Sequence, residues 1–234
     1  MPEGQSRIID GTKNREVGRS MYDYWLRDWY GVDPATGREI YYADPTVTDA
    51  TAFTNANGDL VTPTASSALY RYVGTAIPDF YGSINNTFSY KNFSLSFLLM
   101  FQKGGKAFDS DYQSLMYNGS YGRALHVDAL GRWQKPGDIT DVPVRNTGTT
   151  MYDSDRWLID ASSLSLRTTS LTYNFSQSVA RKIGASRAQC FVTGENLFIL
   201  SRRKGLDPTQ SFTGVSSYTY APTRIITLGV NVTL

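Results

Sequence analysis

Residues 223–234 read TRIITLGVNVTL, and the alternation in this stretch decides how the rest of the chain is interpreted. In an extended strand successive side chains point to opposite faces. Five apolar residues share one face here: Ile226, Leu228, Val230, Val232 and Leu234. An apolar face opposite a small or polar face is typical of a strand between lipid and water. A soluble sandwich could contain such a strand as well, so a membrane barrel is indicated only where the pattern recurs.

The pattern recurs most clearly in residues 93–102. One face of this predicted strand is apolar throughout and consists of Phe93, Leu95, Phe97, Leu99 and Phe101. Residues 80–90 alternate in a similar way, and only Lys91 and Asn92 separate the two strands. So short a connection predicts a tight antiparallel hairpin.

Three further segments read as strands with less regular patterns. Residues 162–175 change phase between Leu166 and Leu171, which predicts a β-bulge, and residues 187–200 are similarly mixed. Residues 16–30 fit a strand better than a helix, although some helical spacing is present. Together with the terminal strand, the sequence predicts about six strands.

The predicted connections alternate in length. Those after Tyr30, Gln102 and Leu200 are long, whereas those at residues 91–92 and 176–186 are short. Outer-membrane barrels have short periplasmic turns and longer extracellular loops. The alternation therefore predicts that the three long connections lie on the extracellular side.

Composition excludes several other classes of protein. Aromatic residues make up 13% of the chain and charged residues 19%, and the net charge of +2 gives no reason to expect nucleic acid as a partner. Cys190 is the only cysteine and His126 the only histidine, so neither an intrachain disulfide nor a histidine-rich zinc site is expected. No apolar run approaches the roughly 18 residues of a membrane helix.

Most candidate chemistry is weak. The pairs Asp109–Asp111 and Asp153–Asp155 lack the later glycine and glutamate of a calcium loop, and one histidine gives little basis for a hydrolase. We therefore expect no catalytic residue, no metal and no cofactor. Four loop aromatics could stack on a sugar ring, although loop packing is the simpler interpretation: Tyr112, Tyr117, Tyr121 and Trp133.

Short motifs along nearly the whole chain carry a resemblance to a known family. In the second half they are Ile159–Arg167, Leu171–Asn174, Ala188–Phe198, Lys204–Pro208 and Pro222–Arg224. In the first half they are Gly31–Gly37, Ile77–Gly82, Phe88–Lys91 and Arg132–Asp138. In order and spacing they resemble the C-terminal part of SusC/RagA-type TonB-linked outer-membrane transporters. Leu234 departs from the pattern, because an aromatic residue is usual at that position.

The resemblance implies an all-β fold in which antiparallel strands, about six of them, form the C-terminal portion of a large transmembrane β-barrel with long extracellular loops. Residues 1–234 would be one segment of that barrel, and the plug and the N-terminal barrel strands would lie outside it. The implied location is the cell outer membrane. The implied partners are membrane lipid, the missing barrel and plug, and a SusD-like surface lipoprotein, with TonB reached only through the absent N-terminal region.

The function that follows is nutrient import energised by TonB, with glycan or oligosaccharide as the expected substrate. The chain is not expected to be an enzyme. The alternative is a soluble β-sandwich module that binds carbohydrate, in which every strand would turn polar residues outward. The apolar face from Phe93 to Phe101 argues against this alternative unless the strand is central.

Overall fold

A computed structural model describes residues 6–116, 121–145, 151–217 and 219–234. These residues divide into two compact units. The first unit comprises the described residues of Met1–Ile77, Lys106–Ile159 and Ser211–Tyr218, and the second those of Pro78–Gly105, Asp160–Gln210 and Thr219–Leu234.

The strands of the described residues are numbered in chain order: β1 (Arg7–Asp10), β2 (Lys13–Glu16), β3 (Asp23–Arg27), β4 (Trp29–Val32), β5 (Glu39–Tyr42), β6 (Phe53–Thr54), β7 (Leu60–Thr62), β8 (Tyr70–Thr75), β9 (Phe80–Tyr90), β10 (Phe93–Lys103), β11 (Lys106–Phe108), β12 (Leu158–Asp160), β13 (Ser163–Asn174), β14 (Arg187–Ser201) and β15 (Ile225–Thr233). Two short α-helices are present among these residues, α1 (Ser110–Leu115) and α2 (Gln177–Lys182). Single 3-10 turns occur at Ala65–Ser67, Val127–Gly131, Asp155–Trp157 and Pro208–Gln210.

The second unit is built on one sheet of long antiparallel strands, in the order β15-β14-β13-β10-β9. Tyr90 pairs with Phe93 at the end of the β9–β10 hairpin, which confirms the predicted tight connection. Lys91 has a φ of 51° in this turn. The sheet therefore contains five of the predicted strands, each next to an antiparallel neighbour.

The predicted β-bulge lies in β13. Its pairing with β10 shifts register, so that Leu98 faces Thr168 and Leu99 faces Leu166. Arg167 has no partner in that register, because two residues of β10 pair with residues on either side of it. The extra residue restores the phase, and the leucines on both sides of the bulge share one face of the sheet.

The first unit consists of small sheets in the orders β1-β2-β3-β8 and β4-β5-β7-β6, with β11 paired to β12. Residues 16–30, predicted as a strand of the barrel, contribute β3 and β4 to this unit instead. The physical reason is that Tyr24 and Leu26 are fully buried in the hydrophobic core of the first unit, which fixes the segment there. The segment is extended as predicted, but it belongs to the smaller sheets.

The core of the first unit joins three distant parts of the chain. Tyr24, Phe108 and Trp157 lie at its centre. The hydroxyl of Tyr24 donates to the carbonyl of Gly214 at 2.7 Å. Burial raises the pKa of this hydroxyl, which therefore stays protonated and serves as a donor. The segments that separate the long strands in sequence thus fold around one shared cluster.

A buried ion pair stabilises the same unit. Arg156 Nη1 lies 2.8 Å from Glu39 Oε1, and both side chains are about 10% exposed. The guanidinium also lies over the rings of Trp29 and Trp157, at 4.7 Å and 4.6 Å from their centroids. Burial raises the pKa of Glu39, and the charge of Arg156 opposes that rise. Each charge depends on the other, because an isolated buried charge is costly.

Replacing Arg156 with Met leaves the carboxylate of Glu39 buried without its partner. We expect Arg156→Met to lower the free energy of unfolding by about 3–5 kcal/mol, and the double variant with Glu39→Gln to lose clearly less. Tryptophan fluorescence during urea unfolding measures both. Arg38→Met is the control, because Arg38 is exposed. An Arg156→Met protein as stable as the control would contradict the assignment.

Candidate functional site

One face of the long sheet carries apolar rows that cross all five strands, although Asn86 and Thr169 lie beside Phe97 on this face. A single row of paired residues runs from Phe88 through Leu95, Leu171 and Val192 to Leu228. These side chains are between 40% and 77% exposed. The parallel row from Tyr90 to Val230 is apolar as well. In this unit the sheet is a single layer, so the apolar face is not the inner face of a sandwich.

Aromatic rings lie near both ends of the apolar face. At the end with the short connections, Phe93 contacts Tyr173, with ring centroids 4.8 Å apart, and Tyr173 contacts Phe175 at 5.2 Å. At the other end, Phe80 and Phe101 have ring centroids 6.2 Å apart. Aromatic girdles at the two membrane interfaces flank the apolar band of outer-membrane barrels.

The opposite face of the sheet is lined with hydroxyl groups. The corresponding row across the strands reads Thr87, Ser96, Ser170, Thr193 and Thr227. The hydroxyls of Ser170 and Thr193 are 3.1 Å apart and form a cross-strand hydrogen bond. Small hydroxylated side chains thus form an uncharged polar row on this face, which also carries Leu98 and Met100 of β10.

Phe191 is an aromatic exception on the hydroxyl-lined face. It pairs with Gly229 on the neighbouring strand, and its ring covers that glycine so closely that a Cβ there would clash with it. The terminal strand therefore needs glycine at this position for packing. The sequence shows the glycine but gives no indication of the ring that covers it.

The β-bulge directs a charged side chain to the loop between β14 and β15. Arg167 Nη2 donates to Asp207 Oδ2 at 3.0 Å and to the hydroxyl of Thr209 at 2.9 Å. Asp207 is almost fully buried. Arg167 thus tethers a loop, whereas the sequence indicated only that it lies in a strand.

Among the four predicted loop aromatics, Tyr112 lies in α1 and is packed within the first unit. Its ring contacts His126 and Trp157 edge-to-face, with centroids 4.9 Å and 5.9 Å away. Its hydroxyl donates to Asp128 Oδ2 at 2.7 Å. This ring therefore has packing partners on two sides.

The other predicted aromatics lie in different surroundings. Trp133 is half-buried against the turn around Gly37, and its indole Nε1 donates to the carbonyl of Pro34 at 3.0 Å. Tyr121 is fully exposed, and Tyr117 lies outside the described residues. The structure does not bring Tyr112, Tyr121 and Trp133 into mutual ring contact. Sugar stacking on these residues stays a prediction.

Charged clusters that the sequence did not single out organise the first unit. Arg71 lies 2.6 Å from Asp28 and 2.9 Å from Asp155, and Asp155 also accepts from the backbone of Trp29 at 3.0 Å. Burial raises the pKa of Asp155. These residues come from separate parts of the chain, so no spacing in the sequence could have revealed the cluster.

The aspartates considered for calcium binding and the histidine considered for catalysis form structural hydrogen bonds. Asp109 caps α1 by accepting from the backbone of Tyr112, and Asp153 accepts from Gln113 at 2.9 Å. Nδ1 of His126 accepts from the backbone of Asp128 at 3.2 Å. Within the described ranges, no group of three or more His, Cys, Asp or Glu residues is arranged to hold a metal ion. None of the helices described has the length and apolar character needed to span a bilayer.

Curated proteins similar to this chain are receptors. TonB-dependent receptor P26 of Formosa agariphila is 27% identical over 205 residues, covering 81% of this chain and 20% of that protein. TonB-dependent receptor P3 of the same organism is 27% identical over 188 residues, covering 76% and 18%. The chain thus spans about a fifth of the length of these relatives. No family model matches it.

Solved structures with the same fold are those of a transporter. The structure of the RagAB peptide transporter superposes with a TM-score of 0.80 at 21% identity, covering 98% of this chain and 25% of that one. The RagAB peptide importer in its open-open state gives a TM-score of 0.79 at 20% identity, with 100% and 25% covered. These likenesses establish the fold.

The comparisons confirm the resemblance to TonB-linked outer-membrane transporters and the predicted fold class. The chain has the fold of one segment of a large, antiparallel transmembrane β-barrel. The relatives are receptors and transporters rather than enzymes, in agreement with the expectation for this chain.

Because Tyr112 is packed and Tyr121 is exposed, we expect their replacement to change the free energy of unfolding by different amounts. We expect Tyr112→Ala to lower the free energy of unfolding by about 2–4 kcal/mol, because it removes ring contacts and a hydrogen bond. Tyr121→Ala is the matched control and should change it by less than about 0.5 kcal/mol. Thermal unfolding of the two variants tests the difference, and equal effects would contradict the contacts assigned to Tyr112.

Proposed function

We propose that this chain forms part of the barrel wall and the extracellular loops of an outer-membrane nutrient importer energised through TonB. In this proposal all of residues 1–234 belong to the C-terminal segment of the receptor barrel. The observation that carries it is the long sheet, in which apolar rows cross all five strands on one face and a row of hydroxyls crosses them on the other.

The apolar face supports contact with lipid. Exposed rows of Phe, Leu and Val would be unfavourable in water over five strands, whereas hydrocarbon accommodates them. The three inner strands are paired on both sides, and in this proposal the outer edges of β9 and β15 pair with further strands of the barrel, because hydrocarbon offers backbone groups no alternative partner. The aromatic pairs near the two ends of the strands fit the two interfaces of a bilayer.

The hydroxyl-lined face supports a water-filled lumen through which a polar substrate passes. Serine and threonine hydroxyls can donate and accept hydrogen bonds, so a hydrated solute can exchange partners along the wall. The Arg167–Asp207 pair fixes a loop to this face. We expect that loop to be part of the structure that the substrate meets.

The substrate and the partners are the finer part of the proposal. Glycan or oligosaccharide uptake with a SusD-like surface lipoprotein is what the family resemblance implies. A peptide substrate is the second candidate, because the solved structures with this fold are those of a peptide transporter and importer. Either substrate would be polar and larger than the solutes that diffuse through simple pores.

Uptake by cells tests the transport function directly. Cells that carry the complete receptor should accumulate a fluorescently labelled oligosaccharide or a labelled oligopeptide, and cells lacking the gene should not. Dissipating the proton gradient of the inner membrane should stop uptake while leaving surface binding intact, because the energy arrives through TonB. Unchanged uptake of both labels in the deletion strain would refute the importer assignment.

Adjacent residues of β10 lie on opposite faces of the sheet, so we expect an introduced charge to destabilise the receptor by different amounts at the two positions. We expect Phe97→Arg to destabilise the folded receptor in lipid by about 2–4 kcal/mol, because its side chain would face the middle of the bilayer. Ser96→Arg is the matched control on the hydroxyl-lined face and should cost about 1 kcal/mol or less. Urea unfolding of the complete receptor in phospholipid vesicles measures both. A larger loss for Ser96→Arg would reverse the assignment of the two faces.

A further inference from the structure

A cavity of about 350 Å³ lies in the first unit. Its lining includes three aromatic residues and one arginine: Trp25, Tyr70, Tyr152 and Arg27. Met151 and Asp153 complete one side, and Gly11 of the β1–β2 turn contributes without a side chain. Arg27 is the only Lys or Arg residue in this lining.

Arg27 is held in a fixed position by neutral groups. Its Nε donates to the carbonyl of Ala65 at 2.8 Å, and its Nη1 donates to the carbonyl of Asp153 at 3.2 Å. Its guanidinium carbon lies 4.8 Å from the ring centroid of Tyr70 and 5.0 Å from that of Tyr152. Two hydrogen bonds and two rings therefore orient the group before any ligand arrives, which reduces the entropy lost on binding.

The charge of Arg27 is not balanced by a carboxylate within the described residues. Asp153, the acidic residue in the cavity lining, accepts from Gln113 through Oδ1 and contacts Arg27 through its backbone carbonyl. Two other arginines of the unit, Arg71 and Arg156, do form ion pairs with carboxylates. A partly buried cation without a counter-ion is costly unless a ligand supplies one.

We infer that this cavity is a substrate subsite in which Arg27 binds a carboxylate. The inference rests on the proposed import function and specifies one chemical feature of the imported molecule. Nη2 of Arg27 has no hydrogen bond among the described residues and can donate to the carboxylate oxygens. The rings of Trp25, Tyr70 and Tyr152 also line the cavity and can pack against the part of the molecule that carries the acid.

The carboxylate could come from the C-terminus of a short peptide or from a uronic acid in an oligosaccharide. Both present the same planar anion, and the cavity volume accommodates about one residue of either type. A neutral substrate would leave the charge of Arg27 unbalanced. The subsite therefore favours the acid over the corresponding amide or ester.

Binding to the purified, complete receptor in detergent tests this subsite. The probes are trialanine and its C-terminal amide, and trigalacturonic acid and its methyl ester, titrated by calorimetry. We expect the acid of at least one pair to bind about tenfold or more tightly than its neutral derivative. Arg27→Gln should abolish that preference, and Arg38→Gln, which changes an exposed arginine, should retain it. The pair that shows the preference identifies the source of the carboxylate.

Two outcomes would overturn the inference. One is an equal affinity for acid and neutral probe in both pairs, and the other is a preference that survives in Arg27→Gln. If Arg27→Gln does not fold, Tyr152→Leu replaces it, because Tyr152 is 43% exposed and removing its ring leaves the hydrogen bonds of Arg27 intact. An affinity for the acid that is unchanged by Tyr152→Leu would also overturn the site.

Cell uptake separates this result from the proposed function. Uptake that continues in the wild-type receptor while the acid preference is absent would reject the subsite and retain the importer. If the wild-type receptor shows neither uptake nor binding, the importer function itself is rejected.

Discussion

Backbone hydrogen bonding in a medium without water is the constraint on which the long sheet depends. Hydrocarbon offers no partner for an N–H or a carbonyl, so each strand has to find its partners in its neighbours. Once the strands are paired, their side chains alternate between the two faces of the sheet, which the proposed function assigns to lipid and lumen. The rows from Phe88 to Leu228 and from Thr87 to Thr227 are two results of that one arrangement. The register in which the strands pair therefore also fixes the face of the sheet on which each side chain lies.

The same constraint explains why the hydrophobic core lies elsewhere. A wall that exposes its apolar residues to lipid leaves few of them to bury. The largest fully buried side chains of the described residues, including Trp157, Tyr24 and Phe108, all belong to the first unit. That unit also contains the Arg156–Glu39 pair between tryptophan rings. The long connections that make up the first unit thus form a folded domain with its own core. Such a domain can hold the Arg27 cavity in a defined shape.

Sequence reasoning succeeded where the period of the side chains carried the information. The strand from Phe93 to Phe101, its hairpin and the bulge near Arg167 follow from alternation and its interruption. It failed at residues 16–30, because burial of Tyr24 and Leu26 in a core gives the same local pattern as a strand in a barrel. It also missed the partners of Arg27, Arg71 and Arg156, since each of them is distant in the chain.

The sequence by itself determined the five long strands and which of their faces carry the apolar rows, because alternation depends on neighbours two positions apart. It also supplied the family resemblance through short motifs in a fixed order. Only the tertiary structure decided that the segments between the long strands share one core, that Arg167 reaches Asp207, and that Arg27 lies in a cavity without a carboxylate partner. Such contacts join residues from about 40 to more than 120 positions apart, and no local pattern specifies which of many similar side chains will meet.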